Sequence, residues 1–251
     1  MRQSALYREF TTYVTLNILG SLGLSCYILA DTFFVASRLG ADGLTALNLA
    51  ISVFGLLNGL GMMLGIGGGA RYSIFQAQGM EREANRTFTI AFLTGAGLGL
   101  FFALCGLFFA RPLAALLGAE GHILPMCATY LRTALSFAPF FILNQVMTAF
   151  VRNDGNPKLA MAAMLTSSLT NIVLDYVFLY PLDMGIFGAA FATGVAPVVG
   201  LLLSSLHILT GRSRFRLVRE PMRPRHLFSL SALGWRGLPQ RVFHQCGARG
   251  L

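Results

Sequence analysis

The chain has 251 residues, of which 55% are hydrophobic and only 12% charged, with a formal net charge of +9 and a mean hydropathy of +0.65. A water-soluble domain carries about twice that charged fraction, so the long uncharged runs belong in lipid. The excess of arginine raises nucleic acid as a partner, but its distribution along the chain, set out below, follows a membrane rule instead and excludes that reading.

A span needs roughly 20 apolar residues, and six runs qualify, at about 11–37, 44–70, 87–110, 123–150, 159–181 and 186–210. None shows strand alternation, which excludes a barrel; helices are the other way to satisfy every backbone group in hydrocarbon. The expected fold is an all-α membrane protein, a bundle of six transmembrane helices over residues 1–210.

The first run follows Arg2 and Arg8 and is too long and too polar near its end for a cleaved signal peptide. Its polar face carries Asn17, Ser21 and Asp31. The second run opens on Gly40-Ala-Asp-Gly43-Leu-Thr-Ala46. It holds the polar residues Asn48, Ser52 and Asn58, and the glycines Gly55, Gly59, Gly61, Gly65, Gly67, Gly68 and Gly69. Small residues let membrane helices approach closely; they also permit bending. Past Arg71 the helix is expected to leave the membrane and stop at Gly79, a C-cap glycine.

The third run contributes phenylalanine pairs, Phe101-Phe102 and Phe108-Phe109, expected to face lipid or core. The fourth contains Asn144, Gln145 and Thr148, with Arg132 snorkelling near its outer end. The loop Arg152-Asn-Asp-Gly-Asn-Pro-Lys158 stacks two turn dipeptides, and loops this short make neighbouring helices antiparallel. The fifth run carries Ser168, Asn171 and Asp175 on one face, and the sixth carries Thr193. The sixth opens on Gly185-Ile-Phe-Gly188, a faint echo of Gly40 to Gly43, of the kind that internal repeats leave in transporters.

With the N-terminus in the cytoplasm, Arg2, Arg8, Arg71, Arg82, Arg86, Arg152, Lys158 and the arginines after 211 all fall on inner loops. Only Arg38 and Arg111 fall outside, as the positive-inside rule requires. Residues 211–228 read as a basic cytoplasmic linker. The tail 229–251 has no run long enough to span, and reads as the start of a second lobe, truncated or frame-shifted, or as the end of a half-length gene. Cys26, Cys105, Cys127 and Cys246 have no metal or redox spacing. The histidines His122, His207, His226 and His244 sit at span ends or in the tail and are assigned no role.

Two carboxylates lie well inside spans, Asp31 and Asp175. A charge there is costly and faces a cavity or a partner. Asp31, Asp175 and Thr193 all sit about 10 Å below the same outer surface, counting helical rise from the span ends. Asn171 lies one turn from Asp175 on the same face. Two carboxylates with amide and hydroxyl oxygens make a hard-cation site of the sodium type, or a pair that shares a proton; a structural acid hydrogen-bonded between helices is the remaining reading. Asn48, Ser52, Asn144, Gln145 and Thr148 are candidate substrate-path residues, or interhelical hydrogen-bonding contacts.

Several stretches together resemble the MATE (multidrug and toxic compound extrusion) transporters. Leu29-Ala-Asp31-Thr-Phe-Phe-Val is similar to the family's first helix, Gly40-Ala-Asp-Gly-Leu-Thr-Ala-Leu-Asn48 to its entry into the second, and Gln76-Ala-Gln-Gly79-Met-Glu-Arg-Glu-Ala84 and Arg152-Asn-Asp-Gly155-Asn-Pro-Lys158 to its first two inner loops. The resemblance covers about residues 10–220. It implies one lobe of a twelve-helix antiporter of the bacterial-type inner membrane, with both termini of the lobe cytoplasmic. Entry of protons or sodium would drive export of organic cations, drugs or toxic metabolites. The coupling ion would sit at Asp31, Asn171, Asp175 and Thr193. No covalent chemistry and no cofactor beyond the ion are implied.

Two departures stand out. Many members carry a proline early in the first helix; here Thr15-Leu-Asn-Ile-Leu-Gly20 has none, leaving Gly20 and Gly23 as the candidate flexible points. The second lobe is also missing, so a separate lobe or a homodimer is expected to complete the cavity. The rival readings are a flippase for lipid-linked saccharides from the same superfamily, which would want cationic side chains in the spans, and an inactive fragment or half-transporter that needs a partner.

Overall fold

The computed structural model describes residues 2–211 and 213–218. The linker beyond 218 and the tail 229–251 lie outside them, as do the side chains of Asn17 and Ser21. Six helices run in order: α1 Arg2–Ala77, α2 Glu81–Leu116, α3 Ile123–Ser136, α4 Ala138–Asn153, α5 Pro157–Leu179 and α6 Gly185–Leu209. There is no strand among the described residues.

Helix α1, at 76 residues, would be about 114 Å long if straight, against a hydrocarbon core of roughly 30 Å. It is instead two spans joined at Gly40, whose φ of 67° and ψ of −157° break the helix. Helices α3 and α4 meet at 47° across a one-residue break and together make one further span. With α2, α5 and α6 the lobe therefore has six crossings. Gly20 and Gly23 keep helical backbone angles, since Gly40 is the only departure inside α1. They serve as contact points rather than kinks: a Cβ on Gly23 would fall 2.6 Å from Leu165 Cδ2, and one on Gly20 would fall 3.2 Å from Met164 Cε.

The break between α3 and α4 was not anticipated, because a run of apolar residues does not reveal a bend. Its signal is Pro139, in the first turn of α4, which cannot donate to the turn before it. The bend sets the Phe137 ring against α6 at Gly194, where a Cβ would lie 2.3 Å from Phe137 Cδ2.

Gly40 and Gly185 both hold left-handed backbone, with φ of 67° and 58°. Three residues later, a Cβ on Gly43 would strike Leu39 Cβ at 2.4 Å, and one on Gly188 would strike Met184 Cβ at 2.9 Å. The echo seen in the sequence is thus the same local geometry used at two helix starts. The Gly40 end of α1's first arm is tied to the α5–α6 loop by Arg38, whose Nη2 lies 2.9 Å from Asp183 Oδ1 and whose Nε donates to the Leu179 carbonyl.

Small residues set the helix spacings. Along α2, the stripe Ala84, Phe88, Ala91, Gly95, Gly99, Ala103, Gly106, Ala110 and Ala114 is buried at three- and four-residue steps. A Cβ at Gly99 would lie 2.3 Å from the Pro139 backbone, and one at Gly106 would lie 2.3 Å from Leu135 Cβ. In the second arm of α1, Gly61, Gly65, Gly68 and Gly69 meet α4 in the same way, whereas Gly55, Gly59 and Gly67 have nothing within 4 Å.

The end of the bundle at the α4–α5 loop is closed by a polar clasp. Asp154, in the α4–α5 loop, has a side chain only 1% exposed. It accepts from Tyr72 Oη, from His207 Nε2 at 2.8 Å and from the backbone N–H of Arg214 at 2.9 Å. Asn156 caps α5 by accepting from Leu159 N, which fixes its amide nitrogen as the donor toward His207 Nδ1. His207 therefore donates from Nε2 and accepts at Nδ1. Phe215, fully buried, packs on Tyr72, Phe88, Phe150 and His207, while Arg216 N and Val218 N donate to Asn85 Oδ1 and Thr89 Oγ1. His207, assigned no role from sequence, is part of this fastening; a position at a span end gave no hint of a buried partner.

Two outcomes test this packing. Gly99→Ala should destabilise the chain by about 1–3 kcal/mol, since the Pro139 backbone cannot yield, whereas Gly97→Ala, facing open space, should be neutral or slightly stabilising; thermal unfolding in detergent compares them. Asp154→Ala and Phe215→Ala should each release the 213–218 segment, at a cost on the order of 3 kcal/mol, and trypsin should then cut at Arg214 and Arg216 several-fold faster than in the parent chain.

Candidate cation-coupling site and adjoining cavity

Helices α1, α5 and α6 bring the four residues singled out from the sequence into one buried cluster. Asp31 is 7% exposed, Asn171 1%, Asp175 0% and Thr193 7%. Asn171 and Asp175 follow one face of α5, with Ser168 completing the buried stripe. Asp31 reaches them because α1 passes close to α5 through Gly20 and Gly23. Asp31 and Asp175 lie within electrostatic reach of each other.

The hydrogen-bond inventory of the cluster is lopsided. Thr193 Oγ1 donates to the Ala189 carbonyl at 3.0 Å and accepts from Asn171 Nδ2 at 3.4 Å. That leaves Asn171 Oδ1, both oxygens of Asp175 and Asp31 Oδ1 buried with no donor. Pro197, inside α6, has no N–H to offer the carbonyl four residues back, which is that of Thr193. Acceptors thus gather where donors are scarce. A buried polar atom left so costs free energy comparable to a lost hydrogen bond, and a charge costs more. Such a cluster is balanced by added protons or by a hard cation.

Two tyrosines missed in the sequence stand beside it. Tyr27, one turn before Asp31, and the fully buried Tyr130 of α3 are within electrostatic range of both carboxylates. The Tyr130 hydroxyl faces Thr193 without meeting hydrogen-bond geometry. The polar end of a large aromatic residue in an apolar run was the one available signal. Among the described residues no group of three or more His, Cys, Asp or Glu side chains is arranged to hold a metal ion.

Below the cluster lies a cavity of about 250 Å³ between α1, α4, α5 and α6, with Asn171 and Thr193 at one end and Arg152 at the other. Asn144, Gln145 and Thr148 line it, as does Asn58, which accepts from Gln145 Nε2 at 3.0 Å. Asn48 and Ser52 do not: both are exposed on α1, away from this lining.

These features define one helical lobe of a multi-pass membrane transporter. The MatE family model matches residues 17–177, and the chain belongs to that family, whose members are transporters and not enzymes. It is 30% identical over 209 residues to the multidrug export protein MepA of Staphylococcus saprophyticus, a match covering 82% of this chain and 46% of that protein. Among solved structures it resembles a multidrug resistance MATE family transporter of the MOP superfamily in an outward-facing conformation, with a TM-score of 0.79, 27% identity, and coverage of 88% of this chain and 50% of that one. It also resembles a MOP superfamily transporter from Pyrococcus furiosus described as having a binding pocket of reverse polarity, with a TM-score of 0.79, 28% identity and the same coverage. The chain spans about half the length of the curated relatives it matches.

Proposed function

We propose that this lobe couples entry of a proton or a sodium ion to the export of organic cations, drugs or toxic metabolites. Asp31, Asn171, Asp175 and Thr193 capture the ion, and the cavity lined by Asn144, Gln145 and Thr148 belongs to the substrate path. The observation that carries this reading is the surplus of buried acceptor oxygens at the cluster, directly behind the cavity wall formed by Asn171 and Thr193. Its position in the outer half of the lobe, buried among α1, α5 and α6, lets ion occupancy change the balance of attraction between those helices. The likeness to multidrug export proteins supports the substrate class.

Alternating access needs two bundles moving about a shared site. The second is supplied by another lobe, on the same or another polypeptide, or by a second copy of this chain. Asn48 and Ser52, exposed on α1, are then placed to face that second bundle. The lobe sits in a bacterial-type inner membrane with residues 71–86, 152–158 and 211–218 toward the cytoplasm, a reading supported by the arginine asymmetry.

The ion site is tested on the purified chain. An ion that binds only the folded state raises the unfolding temperature, so titrating sodium at fixed ionic strength, and pH in its absence, should reveal a stabilising cation. Asp175→Asn should remove that dependence while leaving membrane insertion intact, because a neutral amide costs less in lipid than a carboxylate. Asn171→Ala should weaken the ion about tenfold by deleting one neutral ligand. An Asp175→Asn variant with the parent's ion dependence would reduce the carboxylate to a structural role. Orientation is checked separately with reporter fusions: those after Arg86, Asn156 and Ser213 should report cytoplasm, those at Asp42, Gly118 and Asp183 the outside, and an external signal at Ser213 would overturn the topology.

A further inference from the structure

Helix α3 carries a polar face that neither the ion site nor the cavity uses. Thr129 and Arg132 are exposed, and Thr133 and Ser136 half-buried, at three- and four-residue steps along one side. Two of the hydroxyls are spent on the helix's own backbone: Thr133 Oγ1 donates to the Thr129 carbonyl at 2.9 Å, and Ser136 Oγ to the Arg132 carbonyl at 2.8 Å. The Thr129 hydroxyl and the Arg132 guanidinium are left over. Among the described residues neither makes a hydrogen bond, and the guanidinium has no ion pair or aromatic ring beside it. A group with five donors and no acceptor thus stands on the surface of a span, one turn from a free hydroxyl.

This face is turned away from the rest of the lobe. Tyr130, two residues before Arg132 and so on the far side of the helix, is fully buried and meets the Phe54 ring of α1 edge-on. Helix α1 carries the surface assigned to a second bundle, so Arg132 points to lipid. Its depth suits a headgroup. Helices α3 and α4, 14 and 16 residues long, extend over about 45 Å, roughly 15 Å more than the hydrocarbon core. Shared between the two ends, that excess sets Arg132, nine residues from Ile123, about 6 Å inside the hydrocarbon boundary, and a snorkelling arginine spans such a distance. The register of α2 against α3, fixed where Gly106 meets Leu135, brings the exposed Arg111 within one turn of the same depth. Two cations without ion pairs therefore mark one level on neighbouring helices.

We propose that Arg132 and Thr129 form a site on the lipid-facing side of α3 for the phosphate of an acidic phospholipid. The guanidinium offers two parallel N–H donors to the phosphate oxygens, and the Thr129 hydroxyl, one turn nearer the Ile123 end, donates a third bond. Phe140, exposed four residues beyond Ser136, offers an apolar surface to the acyl chain. An acidic lipid is favoured over a zwitterionic one because the face supplies nothing for a headgroup ammonium: the nearest carboxylate along the chain, Glu120, is twelve positions from Arg132 and precedes the helix. Arg111 adds to the same preference. The site is independent of the ion and substrate readings and rests only on the lobe lying in a bilayer.

The test places the full chain in phosphatidylcholine vesicles doped with a photoactivatable phosphatidylglycerol or, separately, a photoactivatable phosphatidylcholine of the same acyl chains. Peptide mapping after illumination reads where each lipid sits. The phosphatidylglycerol probe should label α3 around residues 125–140 about tenfold more than the phosphatidylcholine probe. Arg132→Gln should remove that preference on α3 while labelling near the basic loops stays as in the parent chain. Arg132→Lys, which keeps the charge but loses the fork, should restore part of it, and Thr129→Val should reduce it a few-fold. The variants change exposed side chains, and matching unfolding temperatures confirm that each folds. Equal labelling of α3 by the two probes, or a preference that survives Arg132→Gln, would overturn the inference. So would an α3 labelled by neither lipid, the result expected if a second copy of the chain or another bundle covers this face.

Discussion

Helices immersed in hydrocarbon gain little from hiding apolar side chains, because lipid is as apolar as leucine. What holds this lobe together is therefore how closely its backbones approach, and that is set by where side chains are missing. The buried stripe on α2 brings the Pro139 backbone within 2.3 Å of where a Gly99 Cβ would stand. Gly61, Gly65 and Gly69 do the same between α1 and α4, and Gly20 and Gly23 between α1 and α5. The last contact sets the spacing of α1 and α5 that brings Asp31 to the buried α5 residues Asn171 and Asp175.

The lobe solves the problem of a buried carboxylate in two opposite ways. Asp154 receives three donors, and both of its oxygens are engaged. Its negative charge is distributed over fixed dipoles, so the group closes a structure and needs nothing further. Asp31 and Asp175 are as deeply buried, yet three of their oxygens have no donor at all. Among the described residues no donor is in hydrogen-bond geometry with them, the neighbouring Tyr130 hydroxyl included. The two environments lie at opposite ends of α5, and the contrast separates a carboxylate whose oxygens are engaged from a pair whose oxygens are left without donors among the described residues.

Much of this was legible in the sequence because hydrocarbon tolerates so few solutions. Six long, nearly uncharged runs left only helices, and two carboxylates stranded within them pointed to a candidate site. Counting helical rise from the span ends set Asp31, Asp175 and Thr193 at one depth, and the structure brings them together with Asn171. Features that depend on angle rather than depth were not legible. The bend at Phe137 hid inside an apolar run, with Pro139 as its one trace. Asn48 and Ser52 have the polarity of cavity residues but the wrong azimuth on α1 for this cavity. The clasp was missed because its partners, Tyr72, Asp154, His207 and Phe215, are separated by up to 143 positions in the chain and meet only when four helix ends converge.

That clasp has a mechanical consequence. The segment after α6 does not simply leave the bundle from one helix. Phe215 is seated against aromatic rings of α1, α2, α4 and α6, and the backbone on either side of it is bonded to the α4–α5 loop and to α2. Tension applied to the polypeptide beyond residue 218 is therefore shared among several helix ends instead of peeling α6 away. The load path ends in the bundle as a whole, so whatever pulls there moves the lobe as one body.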